Sequence, residues 1–162
     1  MARSASSVSY LERFWKSLCA IFLRLDWIPR TVSPGERISR FIFSRRHMDE
    51  ASGWVSPAAF MPPTKTKDTS VYRTTKCGEG RIWLIGDLFV ARKRKDRRSI
   101  RSRADVTSDL VFQEGLRIVA SRSPHPRHAD VTNWPDDKPQ QKIKAMALAQ
   151  GATLRLHPRR DV

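Results

Sequence analysis

The sequence contains few cysteines, and they lie far apart. Cys19 and Cys77 are the only two among 162 residues, so the chain can form at most one intramolecular disulfide. Neither has a second cysteine at the spacing that zinc ligands use. A disulfide-rich scaffold and a structural zinc site of several cysteines are therefore excluded, and two isolated thiols are typical of a reducing compartment such as the cytoplasm.

Long apolar runs are absent as well. A membrane-spanning helix needs about 20 predominantly apolar residues, and the longest candidate, residues 18–25, is interrupted by Arg24. Hydrophobic residues nevertheless make up 40% of the chain and include five tryptophans, which is enough for a packed core and argues against wholesale disorder. The length predicts one small domain rather than a multidomain enzyme.

Acidic residues are outnumbered by basic ones. The chain has 31 Lys and Arg against 16 Asp and Glu, which gives a net charge of +15. Eight bases fall within residues 91–103, where Asp96 is the only acid: Arg92, Lys93, Arg94, Lys95, Arg97, Arg98, Arg101 and Arg103. Guanidinium groups bind phosphate bidentately and stack on nucleic-acid bases. This basic segment, assisted by Arg40, Arg45 and Arg46, predicts a polyanion-binding protein, most simply one that binds nucleic acid.

Composition alone leaves the identity of the polyanion open. The same positive charge suits an anionic membrane, an acidic protein partner or a charged loop that is only solvated. If the ligand is nucleic acid, we expect phosphate contacts to supply most of the affinity. Trp54 and Trp134 are then the candidates for stacking against bases.

A second candidate site is the proline-rich loop that contains His125, His128 and Asp130. Imidazole and carboxylate groups serve as metal ligands and general bases, and Arg127 is placed between them to hold a phosphate. The chain has no zinc-enzyme motif, no nucleotide-binding glycine loop and no nucleophile motif, so we expect no metal or cofactor. The alternative function is therefore a small enzyme that acts on a phosphate-bearing substrate, with His125, His128 and Asp130 as catalytic candidates.

Residues 1–32 predict an amphipathic helical arm that ends before Pro29. Its apolar stripe follows the three-and-four spacing of a helix and consists of Leu11, Phe14, Trp15, Leu18, Phe22 and Leu25. The stripe can pack on the domain, or it can dock on a partner or a membrane surface through residues 8–28. The same segment is also compatible with a targeting sequence, because it is rich in Arg and Ser.

Residues 33–162 are predicted to form a single α+β domain. We expect a short mixed or antiparallel sheet around Val71, Val111 and Ile118. The Asp136-Asp137 pair as N-cap and Gly151 as C-cap predict a C-terminal helix, which is followed by a last short strand. The apolar face of that helix is predicted to consist of Ile143, Met146 and Ala147.

The patterns between these elements are less uniform. Residues 38–43 predict a strand or one helical turn, and residues 70–75 predict a strand. Residues 81–95 fit either a helix or two short strands, whereas residues 106–120 predict a hairpin. Residues 51–68 predict an ordered loop whose apolar anchors are Trp54, Phe60 and Met61.

Overall fold

The computed structural model describes residues 25–158 and, ahead of them, Trp15, Leu18, Ile21 and Phe22. The helix predicted within residues 1–32 therefore lies almost wholly outside the described residues. Within the described part, no helix is both long enough and apolar enough to cross a bilayer.

Residues 25–158 form eight strands and three α-helices. The strands are β1 (Arg37–Ile42), β2 (Met48–Asp49), β3 (Trp54–Val55), β4 (Thr69–Arg73), β5 (Ser102–Thr107), β6 (Arg117–Val119), β7 (His128–Thr132) and β8 (Thr153–Leu156). The helices are α1 (Glu79–Ile85), which continues as a π-helical turn over Gly86–Val90, α2 (Ser108–Gln113) and α3 (Lys138–Gln150). Short 3-10 turns cover Arg45–His47, Pro57–Ala59 and Ala91–Lys93.

Six of the strands form one sheet in the order β6-β7-β4-β1-β5-β8, and every neighbouring pair is antiparallel. β2 and β3 form a separate hairpin. The predicted α+β class is confirmed, and the sheet is antiparallel rather than mixed. Val71 and Ile118 lie in this sheet as predicted, whereas Val111 lies in α2.

Helical segments cover both faces of the sheet. Successive strand residues point to opposite sides, so each strand supplies side chains to both faces. On one face, sheet residues such as Ile38 and Val71 pack with Leu148 of α3. On the other face, Phe41 and Tyr72 pack with α1 and the π-helical turn. Each face thus has its own apolar core.

The helical alternative is the correct one for residues 81–95, and Gly86 explains how the chain fits there. A Cβ atom at this position would lie 2.6 Å from Ile100 Cδ1 and 2.8 Å from the Phe41 ring. Glycine therefore lets the π-helical turn approach the sheet closely, a gain that outweighs its poor helix propensity.

The hairpin predicted for residues 106–120 is wrong. Thr107 ends β5 and its hydroxyl accepts the N–H of Leu110, so the chain enters α2 instead of turning back. Gly115, with a φ of +70°, then leads the chain out of the helix. The apolar triplet after Thr107 looked like a strand because so short an apolar run fits either structure.

Two predicted sets of anchors also differ from the structure. α3 has the expected caps, but Ile143 and Met146 are exposed and its buried residues are Gln141, Ala145, Leu148 and Ala149. In the segment 51–68, Phe60 is buried as predicted, whereas Trp54 is 52% exposed because Val55 takes the inward position of β3. Side-chain size alone did not indicate which residues face the core.

Two buried ion pairs fasten the segment before β1 to the sheet. Arg73 donates to both carboxylate oxygens of Glu36 at 2.7 Å, and it also donates to the carbonyl of Thr31. Arg127 forms a second pair with Asp26. These contacts satisfy both guanidinium groups, so we assign both arginines a structural role.

The Glu36 pair predicts a loss of stability in acid. Burial raises the pKa of Glu36, but hydrogen bonds from Arg73 and from the Ser33 N–H bring it below its ordinary 4.5. The unfolded chain then binds more protons, so the free energy of unfolding should decrease as the pH is lowered from 4.5 through the folded pKa. Urea unfolding at pH 5, 4 and 3 measures this, and Glu36→Gln should show a shallower decrease. An identical pH dependence for the variant would contradict the assignment.

Candidate functional site

Two arginine-rich segments that are about fifty residues apart in sequence line one groove. The groove has a volume of about 520 Å³, and its arginines are Arg45, Arg46, Arg97, Arg98 and Arg101. Phe43 and the hydroxyl-bearing Ser44 and Ser99 complete the lining, and the lining contains no carboxylate. The groove can therefore accept several negative charges at once.

Strand pairing brings these segments together. β1 runs antiparallel to β5 with Ile42 opposite Ser102, so the residues that follow β1 lie beside those that precede β5. The Arg101 N–H donates to the Ile42 carbonyl at 2.8 Å and extends the pairing into the groove wall. On the β1 side, the Ser44 hydroxyl accepts the Arg46 N–H and starts the 3-10 turn that presents Arg45 and Arg46.

Asp96 organises the other wall. Its carboxylate accepts from Arg94 Nε at 2.9 Å and Nη2 at 2.5 Å, and it also accepts the Arg98 N–H at 3.3 Å. The hydrogen bonds from Arg94, reinforced by the charges of Arg94 and Arg98, lower the pKa of Asp96 to about 2. Arg94 in turn lies over the Phe43 ring at 4.3 Å, which attaches this loop to the end of β1.

Most basic residues of the predicted binding segment are exposed, but Arg103 is not. Arg92, Lys93, Arg94, Lys95, Arg97 and Arg98 lie on the surface, and Arg101 is half-buried in the groove wall. Arg103 is 0% exposed, pairs with Glu79 at 2.7 Å and Asp105 at 2.9 Å, and lies over the Trp83 ring at 4.8 Å. It belongs to the core beneath α1 rather than to the basic surface.

Arg40 has an intermediate position. Its Nε donates to the Ala59 carbonyl at 3.0 Å and its Nη1 to the Ser70 carbonyl at 2.7 Å. Burial lowers the pKa of Arg40 to about 10, so it remains charged at neutral pH. It adds positive potential at this end of the sheet without lining the groove.

The histidine loop does not assemble as the sequence suggested. His125 is fully buried against Phe89, and its Nδ1 accepts the Arg127 N–H at 3.1 Å. Arg127 is occupied by Asp26 and by the carbonyls of Arg73 and Thr75, so it is not available to hold a phosphate. Among the described residues, no group of three His, Cys, Asp or Glu side chains is arranged to hold a metal ion.

His128 and Asp130 do lie close together, on β7. The His128 Nδ1 is 2.5 Å from the Ser121 hydroxyl and 3.8 Å from the Asp130 carboxylate. A relay needs the hydroxyl and the carboxylate on different ring nitrogens, whereas here both face Nδ1. Burial lowers the pKa of His128, while the charge of Asp130 acts in the opposite direction and those of Arg40 and Lys93 in the same direction. His128 thus fastens the loop through its contact with Ser121.

The two tryptophans considered for base stacking also differ. Trp134 packs against the core, and its indole N–H donates to the Val131 carbonyl at 3.0 Å. Trp54 is exposed on the β2-β3 hairpin, which begins directly after the Arg45–His47 turn. Only Trp54 therefore presents an accessible ring near the arginines that follow β1.

Comparisons with known proteins add no functional information, since no family model, curated protein or solved structure matches this chain. The sequence analysis did not predict the groove. The basic segment and the Arg45-Arg46 pair were both visible, but nothing in their spacing indicated that β1 and β5 would be neighbours.

Proposed function

We propose that this protein binds nucleic acid through the arginine groove. The observation that carries the proposal is the convergence of five arginines from two distant segments on one groove, whose lining contains no carboxylate side chain. Like charges gathered in this way repel one another, so an anionic ligand relieves a cost that the free protein bears. Guanidinium groups also bind pairs of phosphate oxygens bidentately, and a nucleic-acid backbone offers such a phosphate at every nucleotide.

The groove has a measurable electrostatic signature. Each phosphate that a basic side chain neutralises releases condensed counterions. For every tenfold increase in salt concentration, the logarithm of the binding constant then falls by about 0.9 per phosphate contact for duplex DNA and by about 0.7 for a single strand. If each of the five groove arginines contacts one phosphate, we expect a slope of about −4 when the logarithm of the binding constant is plotted against the logarithm of the salt concentration. Exposed basic residues outside the groove, such as Arg92 and Lys95, make this slope steeper if they also contact phosphates.

The test is equilibrium binding of the full chain to labelled single-stranded DNA, RNA and duplex DNA between about 50 and 300 mM salt. A steep negative slope with at least one ligand supports the proposal. Retention by none of them at the lowest salt refutes it. Vesicles containing anionic lipid serve as a parallel ligand, and binding to vesicles alone would reassign the basic surface to a membrane.

Replacing Asp96 distinguishes its role in positioning arginines from its effect on net charge, because the two predict opposite changes in affinity. Asp96→Asn adds one unit to the net charge, so charge alone predicts tighter binding. Because Asp96 holds Arg94 and Arg98 in place, we expect the variant to bind nucleic acid about three- to tenfold more weakly, since ordering of the freed side chains must then accompany binding. Fluorescence anisotropy at fixed salt measures the change.

Asp136→Asn is the matched control for this variant. Asp136 is also exposed and paired, in this case with Lys67 at 2.5 Å, but it does not line the groove. It changes the net charge by the same amount, and we expect binding to be unchanged or slightly tighter. Tighter binding by Asp96→Asn, to the same extent as by the control, would mean that Asp96 has no positioning role.

A further inference from the structure

The shape of the basic surface bears on which nucleic acid fits. Sequence-reading proteins insert an α-helix or a β-ribbon into the major groove of the duplex. The groove arginines lie instead on loops and on a 3-10 turn, around a recess. The longest described helix, α3, packs on one face of the sheet and contributes no residue to the groove lining.

The β2-β3 hairpin is no substitute for such a helix. Its strands contain only two residues each, which is too short for a ribbon that follows the major groove. The described residues thus place the groove arginines on loops and a turn rather than on a helix or a long β-ribbon.

Stacking groups accompany the recess. Trp54 lies opposite Asp49 in the hairpin and is 52% exposed, while the neighbouring Val55 is buried. Phe43 lines the groove, and the Arg94 guanidinium lies over its ring. Trp54 is therefore the accessible ring, on the hairpin that directly follows the Arg45–His47 turn. Proteins that bind single strands combine a positively charged groove with aromatic rings on which the unpaired bases stack.

We infer that the groove takes single-stranded nucleic acid in preference to duplex, with phosphates among the five arginines and a base stacked on Trp54. This inference rests on the proposed function. A flexible strand can bend into a recess and turn a base toward the hairpin, whereas a duplex keeps its bases paired and stacked inside the helix, so that no base face is free to stack on Trp54.

The first experiment uses the unaltered protein. A labelled 20-nucleotide strand and the duplex formed with its complement are titrated at the same salt concentrations. We expect the single strand to bind at least about tenfold more tightly, the contribution of about one stacked base. Equal or tighter binding of the duplex would overturn the inference while leaving the proposed function intact, and binding of neither ligand would remove the proposed function itself.

The second experiment replaces the stacking ring. Trp54→Ala should remove most of the preference for the single strand and leave the salt slope unchanged, because no charge is lost. The matched control is Trp27→Ala, since Trp27 is 88% exposed beside a cavity lined by Glu36 and Arg73, at the opposite end of β1. A single-strand affinity that Trp54→Ala leaves unaltered would also overturn the inference.

Discussion

Replacing Arg45, Arg97 and Arg98 together with glutamine should lower the affinity for nucleic acid by about two orders of magnitude or more, because each charge-assisted hydrogen bond contributes about 1.5–3 kcal/mol. All three side chains are exposed and line the groove. The log–log salt slope should become shallower by about 2, since three phosphate contacts are lost. Binding isotherms at several salt concentrations give both quantities.

The matched control for this variant removes three charges elsewhere. Lys76, Lys138 and Lys142 are exposed, and none of them lines the groove. Their replacement with glutamine changes the net charge by the same amount but should lower the affinity only a fewfold. If both triple variants lose equal affinity, binding depends on overall charge and the groove is not the site.

The second large effect concerns stability. Arg103→Gln should lower the free energy of unfolding by about 3–5 kcal/mol, because it leaves the buried Asp105 carboxylate without its cationic partner. Asp105 is buried beside Arg103, and Glu79 extends from α1 to pair with it, so the guanidinium connects β5 to the helix above it. Urea unfolding followed by tryptophan fluorescence measures the loss.

Arg98→Gln is the counterpart within the same basic segment. The Arg98 side chain is 61% exposed, so its replacement should leave the free energy of unfolding within about 0.5 kcal/mol of the wild type. It should weaken nucleic-acid binding, whereas Arg103→Gln, assayed below its unfolding temperature, should retain the wild-type salt slope. A wild-type unfolding free energy for Arg103→Gln would contradict the structural role of this arginine.

Residue propensities and capping residues predicted the elements whose sequence is compatible with only one type of secondary structure. β4 follows from a run of β-branched and aromatic residues, and α3 begins and ends at its predicted caps, Asp137 and Gly151. α2 was missed because its capping residue, Thr107, also fits a strand, and only packing against the sheet decides between the two. The inward face of α3 was misjudged for a related reason: the small Ala145 and Ala149 are buried, whereas the larger Ile143 is exposed.

The sequence by itself determined that the protein is basic, rich in arginine and able to form an α+β fold, since these properties depend on composition and on short-range patterns. Only the tertiary structure decided what each arginine does. The pairing of β1 with β5 places Arg45 beside Arg97, and the alternation of side chains along β5 turns Arg103 into the core. Strand pairing joins residues that are distant in sequence, so no local pattern records which charges will meet and which will be buried.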